Sequence, residues 1–325
     1  MSQMVKAVMI DRFGGPEVMV IRDVPVGDPG PGEARVRHKA VGLNYIDIYQ
    51  RSGLYSGALP FSMGMEGSGI VEAVGAGVTH IKPGDRVAYA GNPPGAYREA
   101  RVLPAKMLVK IPKAISFEVG ASMMLKGQTA HYLLRRTANV QKGHVILFHA
   151  AAGGVGLIAI QIAKLLGVTV IGTVGSDEKA ALARKWGCDH TIVYSRESVP
   201  DRVREITGGR GVDVVFDSVG KDTFQGSLDS LRKYGLMVSF GNASGKVPPV
   251  ELTALKGTLF LTRPSLMPYT ESRAELELTA NDLVRLVASG KVVIPVERSY
   301  PMAEVQRAHA DLEGRKTTGC SVLIP

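Results

Sequence analysis

The chain has 325 residues, 45% hydrophobic and 21% charged, enough for two domains of ordinary size. Mean hydropathy is only +0.08, and Gly or charge interrupts each apolar run, which excludes a membrane-spanning helix. The opening MSQMVKAVMIDRF lacks the apolar core of a secretory signal, so a soluble, cytoplasmic protein is expected. Two cysteines, Cys188 and Cys320, supply neither a disulfide framework nor a four-thiolate zinc site. The 39 Lys and Arg against 30 Asp and Glu leave a net charge of +9, but the cations are spread without a continuous run. That spread argues against nucleic acid as the main partner and favours small anionic, phosphorylated ligands.

In chain order, short β-rich runs at 5–10, 18–24, 33–40, 69–74, 86–90 and 107–111 alternate with Gly/Pro turns and predict a β-dominated domain over 1–125. Residues 126–264 then alternate strand and helix. Strands are expected at 145–149, 168–173, 191–193, 212–217 and 237–241, and helices at 155–166, 177–186 and 224–231. This alternation predicts an α/β fold with a doubly wound parallel sheet, helices on both faces. Beyond Pro264, helical stretches at 274–289 and 302–313 precede a closing strand at 321–324, which is expected to return residues 265–325 to the first domain.

The run Val145-Ile-Leu-Phe-His149 followed by Ala-Ala-Ala-Gly153-Gly154-Val155-Gly156 and an apolar helix is a strand, a glycine turn and a helix. A pyrophosphate reaches the exposed amides of a helix N-terminus only where no side chain blocks it, and Gly153, Gly154 and Gly156 remove those side chains. Ala151 and Gly153 occupy the first two positions of the G-x-G-x-x-G fingerprint and Gly156 the third, in the structural context the mechanism demands. Residues 126–264 are therefore expected to form a Rossmann dinucleotide-binding domain. Asp177, 21 residues beyond Gly156, has the spacing of an acid that binds an unphosphorylated ribose. The preceding strand ends near Val174, however, which makes Asp177 a helix-cap acid beside Ser176 and Lys179, a hydroxyl and a cation suited to a 2′-phosphate. NADPH is the expected cofactor.

Gly64-Met65-Glu66-Gly67-Ser68-Gly69, Gly75, Val78 and Pro83-Gly84-Asp85-Arg86-Val87 resemble the G-H-E-x-x-G-x5-G-x-x-V pattern of the medium-chain dehydrogenase/reductase superfamily. The pattern's ligand His is Met65 here, and the ligand Cys of its C-H-x-D segment is Asn44 in Gly42-Leu-Asn44-Tyr-Ile-Asp47. A thioether and an amide are poor zinc ligands, so no metal site is expected. Further blocks, among them Arg51-Ser-Gly-Leu-Tyr55, Lys126-Gly-Gln-Thr129, Asp213-Val-Val-Phe-Asp217-Ser-Val-Gly220, Phe240-Gly-Asn242 and Thr317-Thr-Gly319, resemble the zinc-free quinone oxidoreductase (ζ-crystallin-like) branch.

That resemblance implies a GroES-like, β-rich catalytic domain beside the Rossmann domain, and a cofactor site assigned residue by residue. Asn44, Tyr55 and Thr129 lie around the nicotinamide, and Gly153, Gly154, Val155 and Gly156 at the pyrophosphate. Ser176, Lys179 and Tyr194 lie near the 2′-phosphate, and Ser218, Val219, Asn242 and Arg315 along the cofactor. It also implies a homodimer paired through an edge strand, for which the apolar segment Lys256-Gly-Thr-Leu-Phe-Leu-Thr262 is suited.

A quinone is already electron-poor, so hydride addition to it needs no Lewis acid, whereas oxidising an alcohol does. Asn44 and Tyr55 are the candidates for orienting the ring or an oxyanion by hydrogen bonds. Asp47 is expected to pair with Arg51 or to cap a local helix rather than to relay protons. Two alternatives share the scaffold: reduction of α,β-unsaturated carbonyls or enoyl thioesters, with Tyr45 or Tyr55 as proton donor, and an NADPH-binding protein with a structural or RNA-binding role.

Overall fold

The computed structural model describes residues 3–55 and 57–325. In chain order the elements are β1 (Gln3–Ile10), β2 (Val20–Val26), β3 (Glu33–Leu43), α1 (Tyr45–Arg51), β4 (Phe61–Ser62), β5 (Glu66–Val74), β6 (Arg86–Ala90), β7 (Ala100–Pro104) and β8 (Val109–Lys110). There follow α2 (Phe117–Met123), α3 (Lys126–Tyr132), β9 (Val145–Phe148), α4 (Gly154–Leu165), β10 (Thr169–Val174), α5 (Asp177–Lys185), β11 (His190–Val193), α6 (Val199–Ile206) and β12 (Val212–Asp217). The chain closes with α7 (Phe224–Asp229), β13 (Leu231–Ser239), β14 (Phe260–Thr262), α8 (Arg273–Ala288), β15 (Val296–Pro301), α9 (Val305–Glu313) and β16 (Cys320–Ile324).

Two compact units result, Met1–Gln128 with Leu266–Pro325, and Thr129–Ser265. The first is built on a seven-stranded sheet in which β16 pairs antiparallel with β3, so the last strand does return to the first part of the chain. Its core joins Val36, Leu43, Val87 and Tyr97 to Tyr300, Met302 and Leu323, which ties the C-terminal segment to the N-terminal sheet through buried apolar area. Gly69 permits a close approach of β5 to β3: a Cβ there would lie 1.9 Å from the Arg37 carbonyl oxygen.

The second unit is a parallel sheet in the order β11-β10-β9-β12-β13-β14. Val145, Ile146, Leu147 and Phe148 form a central strand apolar on both faces, as strands covered by helices on both sides must be. The chain order reverses between β9 and β12, the switch point at whose carboxyl ends such sheets bind ligands.

Three expectations are corrected. The strand at 107–111 shrinks to Val109–Lys110, because Ala105–Met107 coils into a 3-10 turn after Pro104. The helix at 224–231 ends at Asp229, and the strand expected at 237–241 begins at Leu231 and ends at Ser239. Helices α2 and α6 carry no expectation in the sequence reading. α2 holds Gly120 because a Cβ there would meet the Ser68 hydroxyl at 2.6 Å.

Candidate functional site

In the second unit the loop after β9 enters α4 through Gly153, which caps the helix without a side-chain bond. The first intrahelical bond is Leu157 N–H to the Gly153 carbonyl at 2.9 Å, so the amides of Gly154, Val155 and Gly156 have no acceptor within the helix. A Cβ on Gly156 would come within 2.5 Å of the Ala151 carbonyl oxygen, so the turn is closed to any larger residue. A dinucleotide pyrophosphate fits such a cradle.

The remaining sequence-predicted residues of this unit follow the carboxyl ends of the strands: Ser176 and Lys179 after β10, Tyr194 after β11, Ser218 and Val219 after β12, Asn242 after β13. Thr129 stands apart, buried on α3. Ser176 caps α5 by accepting the Lys179 N–H at 3.4 Å, which sets the Lys179 backbone at the end of β10. Asp177 is held by Arg196 through two bonds of 2.6 and 2.9 Å, and that guanidinium keeps its carboxyl below the usual range. The acid whose spacing pointed to a ribose diol is thus engaged by a cation.

Beneath these ends lies a buried polar network. Asp217 accepts from Val219 N (2.8 Å), Gly220 N (3.0 Å), Thr223 Oγ1 (2.7 Å) and Ser227 Oγ (2.8 Å). Ser227 Oγ also meets His149 Nε2 at 3.0 Å, and His149 Nδ1 meets Thr173 Oγ1 at 3.0 Å. Burial lowers the His149 pKa, and the neutral ring ties the ends of β9, β10 and α7 together.

In the first unit Asn44 stands at the N-terminus of α1 with 2% of its surface exposed. Its backbone N–H donates to Asp47 Oδ2 at 2.8 Å, and its side-chain Nδ2 donates to Glu66 Oε2 at 3.0 Å and to the Gly42 carbonyl at 3.3 Å. Glu66 is fully buried; its Oε1 accepts Leu125 N–H at 2.7 Å, and the Lys126 ammonium lies 3.6 Å from Oε2. Burial raises the Glu66 pKa, and Lys126 opposes that rise.

Asp47 caps α1, as expected, but does not pair with Arg51. Arg51 Nη2 bonds Glu313 at 2.7 Å and Nη1 meets His309 Nδ1 at 3.1 Å. His309 Nε2 meets the Tyr97 hydroxyl at 3.3 Å, and that hydroxyl donates to Asp47 Oδ2 at 2.7 Å. Burial and Arg51 lower the His309 pKa to about 3, so the ring is neutral and its Nδ1 accepts from Arg51. Every donor in this chain therefore points towards Asp47. Tyr45, Tyr49 and Tyr55 form a row of rings, 5.7 and 5.1 Å between successive centroids, and Arg315 bonds Tyr45.

Glu66, Lys126, Tyr97, His309 and Arg196 carry no role in the sequence reading. Glu66 and Lys126 stand inside quoted motifs, but nothing local shows that residues 60 positions apart form a pair.

Residues 30–113 match the alcohol dehydrogenase GroES-like domain family and residues 154–283 the zinc-binding dehydrogenase family. The chain is 52% identical to a quinone oxidoreductase of Pseudomonas aeruginosa, over 99% of this chain and all of that one. It is 45% identical to a 2-haloacrylate reductase of Burkholderia sp, over 99% of each. Its fold is similar to that of the Escherichia coli quinone oxidoreductase complexed with NADPH, with a TM-score of 0.97 and 49% identity over 98% of this chain and 100% of that one. The chain belongs to the quinone oxidoreductase branch of the medium-chain dehydrogenase/reductase superfamily.

The zinc of the wider superfamily is not suited by the residues in its place. The Met65 sulfur takes a hydrogen bond from Gln50 Nε2 at 3.3 Å, and the Asn44 amide nitrogen is engaged by Glu66. Among the described residues no cluster of three His, Cys, Asp or Glu is arranged to hold a metal ion.

Burial pushes the Asp47 carboxyl up to about 7, while Tyr97, Asn44 and Lys126 oppose the shift and Glu66 adds to it. The unfolded chain releases that proton near pH 3.9, so between about pH 4 and pH 7 the native state binds one proton more. Stability contributed by this group is full below pH 4 and lost as pH rises through 7. Relative to Asp47→Asn, the wild type is expected to lose roughly 2–3 kcal/mol between pH 5 and pH 8 in urea denaturation. Parallel stability–pH curves for the two proteins would refute it.

Proposed function

We propose that the protein is a cytoplasmic, homodimeric NADPH:quinone oxidoreductase that works without zinc. The observation that carries the reading is the glycine cradle at the sheet's switch point, with Asp177 taken by Arg196 beside Lys179. NADPH, when bound, supplies the hydride. Gly153, Gly154, Val155 and Gly156 would hold its pyrophosphate; Ser176, Lys179, Tyr194 and Arg196 its 2′-phosphate. Ser218, Val219, Asn242 and Arg315 would line the cofactor, with Asn44, Tyr55 and Thr129 at the nicotinamide.

The acceptor follows from the chemistry of the first unit. Asn44 and Met65 cannot polarise an unactivated carbonyl as a metal does, so the substrate must already be electron-poor. A quinone meets that requirement, and water completes the protonation of the product. Relatives named quinone oxidoreductase share about half of their residues with the chain over its whole length. Two free, buried cysteines suit a reducing compartment, and among the described residues no helix is long and apolar enough to cross a membrane. The edge strand β14 exposes Phe260 and Leu261, which supports pairing between copies through that strand.

With NADPH the purified protein is expected to reduce a simple benzoquinone or naphthoquinone, to leave primary alcohols unoxidised, and to keep its rate in the presence of chelators. Turnover of haloacrylates or enones with none of quinones, or one tightly held zinc per chain, would overturn the assignment. Lys179→Ala is expected to cost about ten- to a hundredfold in NADPH affinity while sparing NADH, the effect of one charge-assisted contact to phosphate. Equal affinity of the wild type for both cofactors would show Asp177 to be the better guide. Light scattering should give a mass near twice 34.6 kDa, and a Phe260→Lys/Leu261→Lys variant should fall towards the monomer.

A further inference from the structure

Arg98 and Arg101 bring two cations to one place in the first unit, and among the described residues no carboxylate pairs with either. Arg101 stands on β7 and Arg98 three residues before it, where a bridge to Ala7 of β1 holds its backbone. A Cβ built on Gly95 would have Arg101 Nη1 and Arg98 Nη2 each 3.6 Å away, with Arg101 Cζ at 3.5 Å the nearest atom beyond its chain neighbours. Gly95 itself has φ +134, which side chains avoid, and its N–H is tied to the Gly64 carbonyl at 2.7 Å. The glycine leaves a notch that both guanidiniums face.

The two cations are held differently. Arg101 is 5% exposed; its Nη2 donates to the Pro93 carbonyl at 3.2 Å and its guanidinium lies 5.6 Å from the centre of the Tyr89 ring. Its Nη1, the nitrogen at the notch, is buried without a partner. The half-buried Arg98 side chain donates no hydrogen bond among the described residues. Its Nε is buried, whereas its Nη2 touches solvent, so the notch opens on the Arg98 side.

The surroundings supply no negative charge to balance them. Glu99, between them in sequence, turns its Oε2 to the Lys6 N–H of β1 at 2.9 Å. Behind Arg101, the Tyr89 hydroxyl meets His38 Nε2 at 2.8 Å, and His38 Nδ1 meets the Arg98 carbonyl at 2.6 Å. A carbonyl only accepts, so Nδ1 carries the proton and Nε2 accepts from Tyr89. Burial, with the charges of Arg101, Arg98 and Arg37 adding to it, lowers the His38 pKa to about 3, so this backing is neutral. Two unpaired cations that face one gap repel each other, and an anion bound between them relieves both.

We propose that the notch at Gly95 is an oxyanion site, in which Arg101 Nη1 and Arg98 Nη2 together grip a phosphate or carboxylate group. It is separate from the glycine loop after β9 and does not rest on the reading of the function. Two sources carry such a group: free inorganic phosphate, and the carboxylate of a charged acceptor.

Calorimetric titration with inorganic phosphate at constant ionic strength tests the first source, with NADPH at saturation so that the glycine loop is occupied. One phosphate per chain is expected. Arg98→Met removes a guanidinium that holds no other group, and is expected to weaken phosphate about tenfold or more, the effect of one charge-assisted contact. Lys179→Ala, in the other unit, should bind phosphate as the wild type does. The second source is tested by kcat/KM for a carboxyl-substituted benzoquinone relative to the unsubstituted one. A ratio that falls about tenfold in Arg98→Met assigns the site to the acceptor's carboxylate, and a loss confined to phosphate assigns it to the free anion. Arg98→Met equal to the wild type in both measurements would overturn the proposal.

Should that variant fail to fold, NMR of the 15N-labelled wild type decides. The Nε–H signals of Arg98 and Arg101 should shift with phosphate or acetate and stay in place with chloride at the same ionic strength. Signals that neither oxyanion moves remove the site.

Discussion

Asn44 is gripped by two buried carboxylates, Asp47 through its backbone N–H and Glu66 through its side chain, and the first unit is organised around that grip. Asp47 is supported by Tyr97 on the loop before β7, by His309 on α9 and, through His309, by Arg51 on α1. Glu66 is supported by Leu125 and Lys126 at the start of α3. Each support comes from a different stretch of chain, so the position of one amide depends on β5, the loop before β7, α1, α3 and α9 being assembled together. Replacing such a buried pair by apolar residues is often neutral or even stabilising. What the charges add here is direction: a carboxylate fixes which end of an amide faces it.

The glycine loop between β9 and α4 was legible because its determinants are local. Strand, glycine turn and helix follow one another within 145–166, and each glycine answers to a backbone atom a few residues away, as Gly156 does to Ala151. The cofactor's phosphate preference was legible only in part. Asp177 has the spacing that speaks for NAD, whereas its pairing with Arg196, carried back to it by the turn after β11, is not visible in that spacing. Boundaries failed where local signals were overridden. Tyr234, at φ +62, and Gly235 interrupt β13 and hid its first half, while Gly120 disguised α2 although its missing side chain is what lets the helix lie on Ser68.

The buried chain from Arg51 to Asp47 could not have been found by pattern, since Tyr97 and His309 are 212 residues apart and Arg51 and Glu313 are 262 apart. Taken singly, His309 is an unremarked histidine in a sequence without metal spacing. Only the fold reveals that its two ring nitrogens bridge a cation and a phenol.

The two units use buried carboxylates differently, and the count of donors tells them apart. Asp217 receives four hydrogen bonds, two from backbone amides and two from hydroxyls, and none of its capacity faces an unmet need. Such a group sets the turn at Ser218 and Val219 and has nothing left to offer a reaction. Asp47 receives both of its donors on Oδ2, while Oδ1 is buried without a partner; Glu66 holds an ammonium at 3.6 Å rather than at bonding distance. Both Glu66 oxygens still accept a hydrogen bond, but the unpartnered Asp47 oxygen is costly in a folded interior when ionised, in keeping with a pKa pushed up to about 7. The unit with the glycine loop thus spends its buried carboxylate on rigidity, whereas the first unit leaves one oxygen of Asp47 unpartnered beside Asn44.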